Sequence, residues 1–108
     1  MAKIIDNVAL SVGEIESLDV LSPMNVRFQI KTINVVDKSE EIVVMPKVKD
    51  GLGFVPIDDG NGYAIQWKIK GNKEFSRNLL YINSALLRVF VYNAEDLVGN
   101  ITIDTYAL

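Results

Sequence analysis

The chain contains no cysteine and no histidine. Without cysteine there is no disulfide, no thiolate metal site, no thiol nucleophile and no thiol redox couple. Without histidine the usual general base near neutral pH and the commonest metal ligand are both missing. Long apolar runs are missing too. Ile42 to Met45 has four apolar residues in a row, far short of the ~18 a membrane-spanning helix needs. The N-terminal stretch MAKIIDNVALSVGE carries Asp6 and Asn7 where a secretory signal would be apolar. A small exported domain often carries disulfides, so the expectation is a protein that folds inside a cell.

What is present is enough for one core. The chain has 108 residues, 49% of them hydrophobic, which fits a single domain without covalent staples. The net charge of −3 is unevenly placed. Residues 1–22 hold Lys3 against Asp6, Glu14, Glu16 and Asp19, whereas residues 23–108 balance ten basic with ten acidic groups. A nucleic-acid binder would be basic. The local cluster Lys68, Lys70, Lys73 and Arg77 reads as a solvated hairpin. The expected organisation is therefore an N-terminal acidic arm or edge strand over 1–22 and a body over 23–108. The weak periodicity of the first segment predicts that the body folds without it.

Period-2 alternation recurs along the chain. Val8, Leu10 and Val12 suggest a first strand. Val26, Phe28 and Ile30 alternate with Arg27, Gln29 and Lys31 in a second, and a phase slip at Thr32–Ile33 suggests a bulge. Ile42 to Val48 is a third, which Pro46 assigns to an edge or ends. After the Gly-rich stretch 47–63, Tyr63, Ile65, Trp67 and Ile69 form a fourth, and Gly71–Asn72 turns the chain into Phe75–Ile82. Ile15, Leu18 and Leu21 fit either a short helix over Gly13–Leu21 or an irregular edge strand. The last quarter, LLRVFVYNAEDLVGNITIDTY, reads as two strands joined by a tight turn. Asp96 starts that turn, Gly99 closes it at positive φ, and Asn100 opens the return strand.

The segment Phe90–Tyr92–Ala94–x–Asp96–x–x–Gly99–Asn100 resembles the last hairpin of immunoglobulin-like sandwich domains found in bacterial surface and bacteriophage proteins. The resemblance implies that Phe90, Tyr92 and Ala94 face inward, with Val89 and Val91 outward beside Arg88 and Asn93. Arg88 stands where that family often places a tyrosine. With seven strands and turns every 8–12 residues, the expected fold is all-β, an antiparallel immunoglobulin-like β-sandwich.

Candidate sites are few. Ile57–Tyr63 contains D-D-G-N-G, but aligned to a calcium-binding loop it places Ile57 and Lys68 at two key ligand positions. A weak calcium site of Asp50, Asp58 and Asp59 is the residual option, and turn formation is the preferred reading. Tyr63 and Trp67 share a strand face and could stack on a sugar or base, against a preferred reading as core. No catalytic residue and no cofactor is expected. The functional expectation is a non-catalytic structural protein that binds other protein surfaces in a larger symmetric assembly. The resemblance suggests a bacteriophage virion, assembled in the host cytoplasm, as a capsid, neck or tail accessory. The expected partners are proteins, self-association included, and neither nucleic acid nor membrane. The alternative is a carbohydrate- or cell-surface-binding module using Tyr63 and Trp67.

Overall fold

The computed structural model describes residues 2–21, 23–94 and 96–108. Its strands are β1 (Ala2–Ala9), β2 (Glu14–Glu16), β3 (Val20–Leu21), β4 (Val26–Ile33), β5 (Glu41–Asp50), β6 (Gly53–Pro56), β7 (Trp67–Lys70), β8 (Glu74–Leu79), β9 (Leu86–Tyr92) and β10 (Asn100–Ala107). A 3-10 turn at Leu10–Val12 follows β1. All pairings are antiparallel. The expected all-β sandwich is present, as two sheets.

The first sheet runs β1–β10–β4–β8. In the second, β9 and β5 are central. Short strands β2 and β3 lie end to end along the free edge of β9, and β7 and β6 lie end to end along the free edge of β5. Each sheet is thus four columns wide. With the paired half-strands counted as one, the chain alternates between sheets except for the β5-to-β6/β7 hairpin. That order, with the first strand beside the last, is the jelly-roll arrangement of two Greek keys. It differs from the immunoglobulin order, in which the final two strands pair within one sheet.

The last quarter shows the difference. Strands β9 and β10 do not pair; β10 lies between β1 and β4, and β9 between β2/β3 and β5. The seven residues Asn93–Gly99 between them are long enough to step across the ~10 Å that separates packed sheets. Buried Leu97 plugs that crossing. Asp96 has a φ of 69°, and the Leu97 N–H donates to the Ala94 carbonyl at 3.4 Å. Gly99, at φ 146°, approaches so closely that a Cβ would lie 2.9 Å from Val35 Cγ2 and 3.0 Å from Val35 Cα. The Leu10 N–H donates to the Gly99 carbonyl at 2.9 Å. Glycine is therefore required here by both conformation and contact, within an inter-sheet crossing and not a hairpin turn.

The core lies between the sheets. Phe28, Ile30, Ile42, Val44, Leu87, Val89, Val91, Ile101 and Ile103 are fully buried. In β4 the inward phase continues unbroken through Thr32. The apparent slip arises because threonine reads as polar. Its Oγ1 donates to the Gly71 carbonyl at 2.8 Å and accepts the Lys73 N–H at 2.9 Å, so the hydroxyl is satisfied inside. These bonds secure the corner where the chain leaves β7 for the other sheet. In β9 the phase is opposite to the one implied by the resemblance. Leu87, Val89 and Val91 face inward, and Arg88, Phe90 and Tyr92 face out.

Pro46 sits in a central strand, paired with Val89 of β9. On its other side β6 ends at Pro56 opposite Lys47, and β7 begins at Trp67 opposite Val44. The break in that column falls beside Pro46, which is how a strand containing proline can be central. Residues 14–16 and 20–21 are edge strands, and no helix forms between Glu14 and Leu21. The N-terminal segment belongs to the sandwich: Ile4, Ile5, Leu10 and Ile15 are buried. These strands occupy sheet edges, and their burial leads us to expect that residues 23–108 do not fold without them.

Candidate protein interface

The two sheets present different outer faces. On the first, Arg27, Gln29 and Lys31 of β4 lie beside Tyr106, Asp104 and Thr102 of β10 in register, with Asn78, Ser76 and Glu74 of β8 beyond. Lys3 donates to Asp104 Oδ1 at 3.2 Å and Arg27 to Asn78 Oδ1 at 3.1 Å. Such exposed polar pairs contribute little individually.

The second face carries aromatic rings and cations. Register places Phe90 opposite Met45, Arg88 opposite Lys47, and Lys49 opposite Phe54. The Phe90 and Tyr92 rings stack at 6.5 Å, and Phe54 tilts against Phe90 at 6.0 Å. Lys47 Nζ sits 4.6 Å from the Phe90 centroid and 5.3 Å from that of Tyr92, and donates to Tyr92 Oη at 2.7 Å. Arg88 lies 4.5 Å from the Phe54 centroid, with Lys49 Nζ at 5.6 Å. Each ring is attracted to the cation through its negative face. The cluster covers Phe90 down to 8% exposure although it points away from the core.

Arg88 is the hub. Its Nε donates to Asp19 and its Nη1 to Glu16, both on the β2/β3 side. Donating to Asp19, and next to Glu16, raises the arginine pKa above its ordinary value. A guanidinium suits this position because it can stack on a ring and serve two carboxylates at once.

One end of the sandwich is apolar and exposed. The Ile82 N–H donates to the Met24 carbonyl at 2.8 Å, and the Leu108 N–H to the Asn25 carbonyl at 3.1 Å. These bonds gather three chain segments. Met24 is 66%, Leu80 52%, Tyr81 83% and Leu108 52% exposed. Met24, Tyr81, Ile82, Asn83 and Ser84 line a depression of about 360 Å³. Tyr81 has a φ of 59°, an unusual conformation for an aromatic residue, held by its N–H donating to Asn25 Oδ1 at 2.9 Å.

The residues singled out from sequence are dispersed. Trp67 turns inward, its ring 5.5 Å from that of Phe28. Tyr63 lies in the preceding loop, 72% exposed. Asp58 Oδ1 accepts the N–H groups of Gly60 and Gly62 at 2.8 and 3.0 Å, and Asp59 Oδ1 those of Asn61 and Tyr63 at 2.8 and 3.3 Å. Both carboxylates thereby order their own loop, while Asp50 sits at the β5–β6 turn. Among the described residues no three acidic groups are gathered to hold a metal ion. Asp96 and Gly99 lie in the crossing, and Asn100 begins β10. Lys47, Phe54 and the outward phase of Phe90 were missed. They come from separate strands whose meeting follows from sheet order.

No family model, curated protein or solved structure matched the chain when it was compared with each.

Proposed function

We propose that this chain is a non-catalytic structural protein that binds other protein surfaces as part of a larger assembly. The observation that carries this reading is the exposed apolar surface of Met24 and Tyr81 around one depression, with Leu80 and Leu108 exposed on adjoining segments. Contiguous exposed apolar surface marks contact sites, and an aromatic residue held at positive φ is the kind of local strain that functional positions retain. The missing histidine and cysteine support a role without catalysis. The jelly-roll order supports a virion setting by analogy of architecture alone, since viral capsid domains also use it. In a symmetric shell, many weak contacts of this size act together.

The test is co-sedimentation. The chain purified from its source should travel with a particle far larger than 12.0 kDa. A variant carrying Met24→Asp and Tyr81→Ser should remain in the slow fraction while keeping its fold. Slow sedimentation of the unaltered chain would defeat the assembly role.

A further inference from the structure

The outer face of the second sheet is charged in a directional way. Its β2/β3 column presents Glu14, Glu16 and Asp19, and its opposite side presents Lys47 and Lys49 of β5 and Lys68 of β7. Between them runs an apolar strip: Leu86, Phe90 and Tyr92 of β9 with Val43 and Met45 of β5. Leu21, 73% exposed, closes the strip on the acidic side, and Phe54 closes it on the basic side. Among the described residues neither Lys47 nor Lys49 forms an ion pair, and Lys68 meets Glu41 only at 3.9 Å.

We propose that this face binds the same face of a second copy of the chain, around a two-fold axis parallel to the strands and between β9 and β5. The argument is self-complementarity. An isologous contact requires one patch to match itself after rotation. Rotation about that axis exchanges the acidic and basic sides while keeping each level along the strands. At the level of Tyr92 the order across the sheet is Glu14, Tyr92, Val43, Lys68. Glu14 of one copy therefore meets Lys68 of the other, and Tyr92 meets Val43. At the next level Met45 meets the ring cluster that covers Phe90. Arg88 arrives already bonded to Glu16 and Asp19, so the cluster facing Lys47 carries a net negative charge. Leu21 falls toward Phe54. The other in-plane axis, across the strands, would set acid against acid and lysine against lysine, which is strongly disfavoured.

Size sets the strength. Four columns at ~4.8 Å and about seven residues at ~3.3 Å give a footprint of roughly 450 Å² per copy. A standard stable interface uses ~800 Å² per partner. The dimer is accordingly weak, populated at high protein concentration and weakened by salt.

The surface is separate from the apolar end, so this test stands apart from the particle experiment. Sedimentation equilibrium of the full chain over a wide concentration range at low salt should show monomer and dimer. Glu14→Lys and Lys68→Glu each place like charges at both half-sites and should weaken the dimer at least ~10-fold. An equimolar mixture of the two variants restores an opposite-charge pair at each half-site, and should recover an affinity close to that of the original chain. Both residues are exposed strand positions, and circular dichroism melts check that each variant folds. The proposal is overturned by a chain that stays monomeric throughout, by a dimer indifferent to both substitutions, or by a mixture that recovers nothing.

Discussion

The two outer faces are built on the same inward alternation, yet only the first reads clearly as a solvent face. On the β1–β10–β4–β8 sheet, outward positions such as Arg27, Gln29, Lys31 and Asp104 are polar, and inward ones such as Phe28, Ile30 and Ile103 are fully buried. On the other sheet both sides of β9 are apolar apart from Arg88. Burial on that side comes in two forms: side chains sealed between sheets, and rings sealed outside by cations. Phe90 is only slightly more exposed than the core, although what covers it is the Lys47 ammonium with the Phe54 and Tyr92 rings, outside the sandwich.

The sharpest way to break the comparison is to remove what the sheets share. Deleting residues 1–22 takes β1 from one sheet, β2 and β3 from the other, and four buried aliphatic side chains with them. At ~1.5–3 kcal/mol for each side chain, the loss rivals the entire ~5–15 kcal/mol stability of a domain. The truncated chain should show no cooperative thermal transition by circular dichroism.

Next in size is the crossing that joins the faces. Gly99→Val should destabilise by about 3 kcal/mol, from backbone strain plus a forced clash with Val35, read as a lower urea midpoint. Along β9 itself, Val89→Thr buries a hydroxyl among apolar neighbours and should cost ~1–3 kcal/mol. The same exchange at the outward, half-buried Val43 should change stability by less than ~0.5 kcal/mol. If the two costs were reversed, the inward and outward assignments of the second sheet would be exchanged.

The smallest effect concerns Arg88→Gln. It should weaken the fold slightly in low salt and still less in high salt, because the pairs with Glu16 and Asp19 are partly exposed. The folded-state pKa of Arg88 is raised. Its contribution is therefore fully present below the ordinary arginine value and is lost only as pH rises past the folded one. Between neutral and mildly alkaline pH, the difference between variant and original chain should stay constant in chemical denaturation.

The class of fold was legible because β4, with its strict alternation of Val26, Phe28 and Ile30 against Arg27, Gln29 and Lys31, can be read in only one phase. Strand β9 was not, since LLRVFVY offers apolar residues to both faces and a family likeness chose the wrong one. Thr32 and Pro46 misled for a related reason. A threonine inside a core is recognisable only through its partners at Gly71 and Lys73, and a proline in a central strand only through a gap in the neighbouring column. The ring-and-cation cluster of the second sheet was the least legible feature, because Lys47, Phe54 and Arg88 become neighbours only once β5, β6 and β9 are laid side by side.

The contrast between the faces is tested most directly by following backbone amide chemical shifts as protein concentration rises in low salt. The account predicts shifts concentrated at Glu14, Val43, Lys68 and Tyr92, with Gln29, Lys31 and Thr102 of the first sheet unmoved. Shifts centred on the first sheet, or none on either, would contradict it.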